Sequence, residues 1–277
     1  MLENKTIGFI GCGQMGGAIL SGALASGKVD AGKVFVTTRS AERLSALEQE
    51  YGVHTVVNDG ENSGAKAVFR QCDAVILAVK PQYARPILEA VRGDARPGQL
   101  VISILGGVTL ALLGEFFPEN PCLRVMPNTP MQVRQGVAGI AANARAGQAE
   151  QDFAVALFSL VGEAFLLPEN LMDALTSVSG CGPAYAYLFI EAMADGAVEK
   201  GLPRAMAQRL AAQTLAGSAQ MVLQTGKHPG ELKDSVCSPA GGTIAGVHAL
   251  ERGAFRNTVM NAVTESCDRM IEVGKKA

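Results

Sequence analysis

The stretch that decides the fold is KTIGFIGCGQMG, residues 5–16, in which a short apolar run leads directly into a glycine-rich turn. The run predicts a β-strand, and the overlapping residues GQMGGAILSGALASG predict a helix packed closely through small side chains. A G-x-G-x-x-G turn between a strand and a helix is typical of dinucleotide binding, although a plain tight turn is the alternative. In such a turn Gly11 permits the tight bend, Gly13 lets a pyrophosphate approach the backbone, and Gly16 allows close contact between helix and strand.

Apolar runs and helical patterns alternate through the following sequence. Further strands are predicted at KVFVTT, VHTVV, DAVILAV, GQLVISIL and CLRVM. Helices are predicted at SAERLSALEQEY, more weakly near residues 60–70, and at YARPILEAV. Because the strands are continuous runs of Val, Ile and Leu, they favour a parallel, doubly wound sheet with both faces covered.

The pattern changes near residue 168, beyond which no convincing strand is found. Helices are predicted at about residues 183–200, 203–225, 243–252 and 254–275. The first of these has few charges and many small apolar residues, so it is either a simple core helix or part of a subunit interface. We therefore predict an α/β chain, with a Rossmann-type domain at residues 1–168 and an all-α dimerisation domain at residues 169–277.

The composition limits the classes of function. Of the 277 residues, 48% are hydrophobic and 18% are charged, which favours a sizeable core over disorder. The 24 lysines and arginines nearly balance the 26 aspartates and glutamates, and the formal charge is −2. Since nucleic-acid binding needs a basic field, we expect no nucleic-acid partner.

The cysteines and the apolar runs bear on the compartment. No two of the six cysteines stand at C-x-x-C spacing, and they form no ligand pattern with the three histidines, so no metal site is predicted. No apolar run approaches membrane-spanning length, and the first strand begins too early for a signal peptide. We expect a cytoplasmic protein with reduced thiols and no membrane contact.

The tip of the second predicted strand, Thr37-Thr38-Arg39-Ser40, bears on the choice of cofactor. An NAD site usually places Asp or Glu there to bind the ribose hydroxyls, and this tip has no carboxylate. A guanidinium beside hydroxyl groups suits a 2′-phosphate, although a solvated surface arginine is the alternative. We therefore predict that Thr38, Arg39 and Ser40 bind NADPH, with NADH as a second possible donor.

The motif AVKPQ, residues 78–82, ends the fourth predicted strand. The carboxyl ends of the strands face the ligand crevice in a doubly wound sheet. Lys80 is therefore expected near the cofactor, unless it is an ordinary surface lysine.

Five motifs in order make the chain resemble the pyrroline-5-carboxylate reductases over nearly its whole length. They are GFIGCGQMG, AVKPQ, RVMPNTP (residues 124–130), SGCGPAY (179–185) and GKHPGELKDSVCSPAGGTIAG (226–246). That family makes L-proline by reducing a cyclic imine with NAD(P)H. The resemblance implies helices that interlock with those of a second subunit, dimers that often assemble into larger rings, and a substrate site at the dimer interface.

The resemblance also implies site residues. Its cofactor positions fall on Gly11, Cys12, Gly13, Gln14, Met15, Asn58, Ala78, Val79, Lys80 and Pro81, and its substrate positions on Ser179, Ser238, Gly241, Gly242 and Thr243. Thr243 is the implied catalytic residue, because the hydroxyl at this position lies near the ring nitrogen of the substrate. The glycine-rich turn SPAGGTIAG, residues 238–246, would hold the carboxylate of pyrroline-5-carboxylate through backbone N–H groups.

The chain departs from the family pattern at several positions. SPAGGT stands where the family usually has SPGG(T/A)T, Cys181 replaces a serine that is a stronger donor, and ISILGGVT replaces a VAAG sequence. The methyl group of Ala240 is expected to crowd the turn, and Gly242 to restore slack. Two alternatives stay open. One is a 3-hydroxyacid dehydrogenase, against which the lack of a helix lysine before Lys200 counts, and the other is an NADPH-binding scaffold without turnover.

Overall fold

The structure is a computed structural model that describes residues 2–274, and these form two compact units. The first unit contains the described residues up to 180 together with those from 267 onward, and the second contains residues 181–266. The domain boundary that we placed at residue 168 stays a prediction.

The first unit is built on one sheet of eight strands. The strands are β1 (Ile7–Ile10), β2 (Val34–Thr38), β3 (His54–Val57), β4 (Ala74–Leu77), β5 (Leu100–Ser103), β6 (Cys122–Pro127), β7 (Gly136–Ala142) and β8 (Gly162–Leu166). Their order is β3-β2-β1-β4-β5-β6-β7-β8, so β1 lies between β2 and β4, where the winding reverses. Ligands of doubly wound sheets bind at this switch point, beyond the carboxyl ends of the strands.

Helices surround the sheet and form the second unit. Those of the first unit are α1 (Gln14–Ala25), α2 (Ala41–Tyr51), α3 (Ser63–Gln71), α4 (Ala84–Val91), α5 (Leu110–Phe116), α6 (Gln148–Phe158) and α7 (Met172–Ser179). The second unit contains α8 (Gly182–Glu199), α9 (Arg204–Thr225), α10 (Pro229–Ser235) and α11 (Gly242–Arg252). It also contains the first part of α12 (Phe255–Gly274), whose residues from 267 onward belong to the first unit. The helical C-terminal part of the prediction is confirmed.

The core covers both faces of the sheet, as the continuous apolar runs indicated. Alternate residues of β1 point to opposite faces, with Phe9 in one buried cluster and Ile10 in the other. Ile76 and Leu77 of β4 divide between the clusters in the same way. Every residue of β1 and β4 is buried, which is why these strands show no polar alternation in the sequence.

The six predicted strands are confirmed, but β7, β8 and the helices α5, α6, α7 and α10 were not predicted. The sheet is also not wholly parallel, because β6 and β7 pair antiparallel with Val125 opposite Ile140. The remaining neighbouring strands pair in parallel. The parallel, doubly wound class that we predicted therefore holds for the part of the sheet that carries the glycine-rich turn.

Candidate functional site

The glycine-rich turn joins β1 to α1 and needs glycine for steric reasons. Gly11 has a φ of +89°, and a Cβ added to it would lie 2.7 Å from the backbone oxygen of Ala78. A Cβ on Gly16 would lie 3.1 Å from the Cβ of Ala78. Gly13 caps α1 and is different, because a Cβ there would have no atom within 4 Å. Gly13 therefore borders open space beside the unpaired N–H groups of the first helical turn, where an anion can bind.

A cleft of about 410 Å³ opens at the carboxyl ends of β1, β2, β3 and β4. Its lining residues are Ile10, Gly11, Gly13, Thr37, Thr38, Arg39, Asn58, Asp59, Gly60, Asn62, Ala78, Val79, Lys80, Tyr83, Pro86 and Ile87. The structure therefore brings together most of the predicted cofactor residues, which come from four separate strand ends. The cleft lies where the switch point of the sheet places a ligand.

Five predicted cofactor residues do not line the cleft: Cys12, Gln14, Met15, Ser40 and Pro81. The Cys12 side chain is 3% exposed and packs in the core. Burial raises the pKa of this thiol to about 11, although the charge of Arg43 opposes the shift. The Ser40 hydroxyl caps α2 by accepting a hydrogen bond from the Arg43 backbone N–H at 3.2 Å. Cys12 can therefore offer a ligand little more than its backbone.

Arg39 follows β2 and lies over an aromatic ring. Its guanidinium carbon is 4.2 Å from the centroid of the Tyr83 ring. Tyr83 ends the short 3-10 turn Pro81–Tyr83 after β4, and it is 38% exposed. The Arg39 guanidinium lowers the pKa of the Tyr83 phenol through hydrogen bonding and through its charge, and the charge of Lys80 acts in the same direction. This part of the cleft is therefore positively charged.

Asp59 also lines the cleft, but its carboxylate is already engaged. It accepts hydrogen bonds from the backbone N–H groups of Ser63 and Glu61 at 2.9 Å and 3.0 Å, and from the Ser63 hydroxyl at 2.6 Å. Hydrogen bonding from Ser63 is the main cause that lowers the pKa of Asp59. Asp59 therefore caps the entry to α3 and does not replace the ribose-binding carboxylate that the tip of β2 lacks.

The connection between β3 and α3 is fixed by the side chain of Asn58. Its Oδ1 accepts a hydrogen bond from the Ala65 N–H at 2.9 Å, and its Nδ2 donates to the Oδ1 of Asn62 at 2.9 Å. Thr37 is its neighbour in the cleft lining, and its hydroxyl is buried without a hydrogen-bond partner in the described part of the chain. A Cβ added to Gly64 would clash with this hydroxyl, so glycine in the first turn of α3 lets the helix pack against the end of β2.

Ser179 ends α7 and belongs to the first unit. Its hydroxyl donates to the Leu175 carbonyl oxygen at 3.0 Å, within the helix. Its own carbonyl oxygen accepts a hydrogen bond from the Nδ2 of buried Asn128 at 2.9 Å. The Oδ1 of Asn128 accepts from the Val137 N–H at 2.8 Å. Asn128 therefore fixes the end of α7, a role that we did not assign when we recognised the RVMPNTP motif.

The second glycine-rich turn lies in the second unit, between α10 and α11. The Gly241 N–H donates to the Ser238 carbonyl oxygen at 3.1 Å and closes the turn. Ala240, between them, has a φ of +57°, a left-handed conformation that costs a residue with a side chain more than glycine. The crowding that we expected at Ala240 therefore takes the form of backbone strain.

The start of α11 presents free backbone donors. Gly241 is the N-cap, and the Ala245 N–H donates to its carbonyl oxygen at 3.3 Å. The N–H groups of Gly242, Thr243 and Ile244 precede this first helical bond and so lack partners within the helix. The Thr243 side chain is exposed, and its hydroxyl forms no hydrogen bond among residues 2–274. A hydroxyl thus stands beside a helix start whose free N–H groups suit an anion.

The helices of the second unit expose large apolar side chains. The buried core cluster of this unit consists of Ala194, Ala207 and Ala211, where α8 packs against α9. Exposed apolar residues include Tyr187 (61%), Leu188 (67%), Leu223 (62%) and Met260 (60%). A protein surface of this kind is typical of an interface with another chain.

The described residues contain neither a candidate metal centre nor a candidate membrane span. Among residues 2–274, no group of three or more His, Cys, Asp or Glu side chains could hold a metal ion. In the same range, no helix combines the length and the apolar character needed to cross a membrane.

Two family models match the two parts of the chain. The model described as "NADP oxidoreductase coenzyme F420-dependent" matches residues 6–107, which contain the glycine-rich turn and the cleft. The model described as "Pyrroline-5-carboxylate reductase dimerisation" matches residues 169–273.

Known proteins match over the whole length. The chain is 42% identical to the pyrroline-5-carboxylate reductase of Methanosarcina acetivorans, over 99% of this chain and 100% of that protein. Among solved structures, the enzyme of Coxiella burnetii has a TM-score of 0.91 at 32% identity, covering 98% of both chains. The enzyme of Plasmodium falciparum with NADP bound has a TM-score of 0.86 at 33% identity, covering 99% of this chain and 100% of that one. Fold and cleft define an oxidoreductase with a nicotinamide-dinucleotide domain. The chain belongs to the pyrroline-5-carboxylate reductase family, as the five motifs predicted.

Proposed function

We propose that this chain reduces L-1-pyrroline-5-carboxylate to L-proline, the last step of proline synthesis, with NADPH as its preferred hydride donor. The observation that supports this proposal most strongly is the sequence identity of 42%, over 99% of this chain, with a relative named for that activity. The preference for NADPH is supported by Arg39 in the cleft and by the absence of a free carboxylate at the tip of β2.

The cleft of the first unit would hold the cofactor. The free N–H groups at the start of α1 suit the pyrophosphate, and the open side of Gly13 lets it approach the backbone. Arg39 and Thr38 would bind the 2′-phosphate, while Asn58 shapes the wall beside them. Ala78, Val79 and Lys80 would contact the cofactor at the end of β4. Cys12 would act mainly through its backbone, because its thiol is buried, and Gln14, Met15, Ser40 and Pro81 would contact the cofactor outside the lined cleft.

The turn before α11 would hold the substrate. The backbone N–H groups of Gly242, Thr243 and Ile244 would bind its carboxylate, with Ser238 and Gly241 closing the turn. Ser179 would contribute as a second part of the substrate site. Its hydroxyl oxygen would serve as an acceptor, because the hydroxyl proton is donated to Leu175 and the Ser179 carbonyl oxygen is already bonded to Asn128.

The proposed reaction requires little general acid–base catalysis from the protein. A reduced nicotinamide bound in the cleft would supply the hydride for the imine carbon, and the electrons of the C=N bond would then neutralise the positive charge on the protonated ring nitrogen. The Thr243 hydroxyl would hydrogen-bond at this nitrogen and orient the ring. The backbone donors would fix the carboxylate, so that binding energy is used for alignment.

We also propose at least a homodimer, with assembly into larger rings as a further step. The exposed apolar side chains of α8, α9 and α12 support an interface, and so does the match of residues 169–273 to a dimerisation model. In functional terms, residues 1–168 would bind cofactor and residues 169–277 would dimerise and bind substrate. A reducing compartment such as the cytoplasm suits the six free thiols.

The test is oxidation of NADPH in the presence of pyrroline-5-carboxylate, with proline identified as the product. Reactions without the imine, and with a 3-hydroxy acid plus NADP⁺, are the controls. Proline formation that depends on the imine supports the proposal. Tight NADPH binding without turnover would indicate a scaffold instead, and oxidation of the hydroxy acid would indicate a dehydrogenase.

A further inference from the structure

We infer that Tyr83 is a positioning residue for cofactor selection, whose ring holds the Arg39 guanidinium in place for a 2′-phosphate. The inference rests on the proposed binding of NADPH through Arg39. It assigns a role to a residue outside the motifs that identify the family, and it starts from the stacked contact of 4.2 Å between the two side chains.

The contact crosses the cleft. Arg39 follows β2 and Tyr83 follows β4, and these strands are separated by β1. Since neighbouring strands lie about 4.8 Å apart, β2 and β4 are separated by about 10 Å. The two side chains therefore extend toward each other past the end of β1, where the glycine-rich turn begins. Both line the cleft.

Tyr83 is the better fixed of the two partners. Its N–H donates to the Lys80 carbonyl oxygen at 2.9 Å and closes the 3-10 turn, and Pro81 restricts the backbone at the start of that turn. Ala84 and Ile87, which follow in α4, are buried in the core. Arg39, by contrast, is an exposed side chain with many rotamers, and binding would have to select one of them. The ring therefore preorganises the arginine.

The contact with the ring leaves guanidinium N–H groups of Arg39 available to bind an anion. The guanidinium carbon lies 4.2 Å from the ring centroid, and the guanidinium N–H groups that do not hydrogen-bond the Tyr83 phenol can bind a phosphate. The other charged groups near it are Lys80, which also favours an anion, and Asp59, whose carboxylate is engaged with Ser63. A ribose 2′-hydroxyl would gain little from this arrangement, so the stack selects for the 2′-phosphate.

The test compares two ligands that differ only in the 2′-phosphate, adenosine 2′,5′-bisphosphate and adenosine 5′-monophosphate. Their dissociation constants are measured by calorimetry for the full chain and for Tyr83→Ala, Tyr83→Phe, Arg39→Ala and the Arg39→Ala/Tyr83→Ala double variant. The control is Gln82→Ala, in the same 3-10 turn but without an aromatic ring. Melting temperatures without ligand check that each variant is folded.

We expect Tyr83→Ala to weaken binding of the bisphosphate about two- to fivefold, the range for an exposed cation–π contact, and to leave the monophosphate nearly unchanged. Tyr83→Phe keeps the ring and should bind like the parent, as should Gln82→Ala. The double variant should bind no more weakly than Arg39→Ala, because Tyr83 acts through Arg39.

Two results would overturn the inference while leaving the NADPH proposal intact. In the first, Tyr83→Ala binds the bisphosphate as tightly as the parent does, while Arg39→Ala binds it much more weakly. In the second, the losses of bisphosphate binding free energy in the two single variants add fully in the double variant, which would mean that Tyr83 acts independently of Arg39. If Arg39→Ala weakens both ligands equally, Arg39 does not bind the 2′-phosphate, and the proposed cofactor preference fails together with the inference.

Discussion

Thr243→Val is the variant that most directly tests the proposed chemistry. Valine keeps the shape of the side chain and removes the hydroxyl. Thr243 lies in the first turn of α11, but the N-cap is Gly241, so the threonine hydroxyl does not cap the helix. Valine and threonine also have similar helix propensities. We therefore expect the free energy of unfolding to change by no more than about 0.5 kcal/mol, as for other surface substitutions.

The expected effect on catalysis is larger. If the hydroxyl hydrogen-bonds at the ring nitrogen, its removal leaves a buried polar group of the bound substrate without a partner, at a cost of about 1–3 kcal/mol. This corresponds to a roughly ten- to hundredfold loss in kcat/KM. The affinity for NADPH should barely change, because the cofactor is proposed to bind in the cleft of the first unit.

The assay measures kcat/KM for pyrroline-5-carboxylate, the dissociation constant of NADPH and the melting temperature for each variant. Thr243→Ser is the matched control, since it keeps the hydroxyl, and it should retain most of the activity. A Thr243→Val enzyme as active as the parent would refute a catalytic role for the hydroxyl. A loss of activity that merely follows a loss of folded protein would assign Thr243 a structural role instead.

Three other predictions follow from the same features. Arg39→Asp should raise the KM for NADPH far more than for NADH, because a carboxylate repels the 2′-phosphate, and equal increases in steady-state assays would refute this. Ala240→Gly should raise the free energy of unfolding by about 0.5–1 kcal/mol, because it relieves the strain at a φ of +57°. Urea denaturation measures this change, and a decrease in the free energy of unfolding would contradict the prediction. Light scattering at micromolar concentration should show at least a dimer, and a fully active monomer would refute the proposed interface.

The sequence predicted the strands that contain several Val, Ile or Leu residues and missed β7, although β7 is also largely buried. The strand reads GVAGIAA, and glycine and alanine are poor strand formers. A Cβ on Gly139 would lie 2.7 Å from the Leu175 side chain, so α7 packs directly on this strand. The residues that make β7 hard to recognise are therefore those that let α7 approach, and a contact so distant in sequence leaves no local pattern.

The parts of the candidate site that depend on the geometry of a single turn could be predicted from the sequence. The parts that depend on the order of the strands in the sheet could not. The roles of Gly11 and Gly16 follow from the steric demands of one turn, and the structure shows the expected close approaches to Ala78. Tyr83 was missed because it is 44 positions from Arg39 in the chain, and only the order β2-β1-β4 brings the two together. A tyrosine just after AVKPQ could have been noticed as an aromatic residue at the end of a central strand.

The RVMPNTP motif acts on the candidate substrate site through α7, the helix that ends at Ser179. Arg124, at one end of the motif, is buried and pairs with Glu169 at 3.0 Å and Asp173 at 3.9 Å, just before and within the first turn of α7. Asn128, near the other end, holds the carbonyl group of Ser179, where α7 ends. β6 and the residue that directly follows it therefore fix both ends of a helix that shows little charge of its own. An amide and a guanidinium are suited to this task, because each makes several directed hydrogen bonds to groups that are distant in sequence. The motif thus positions Ser179, a proposed substrate residue, and this accounts for the residue types at its two ends.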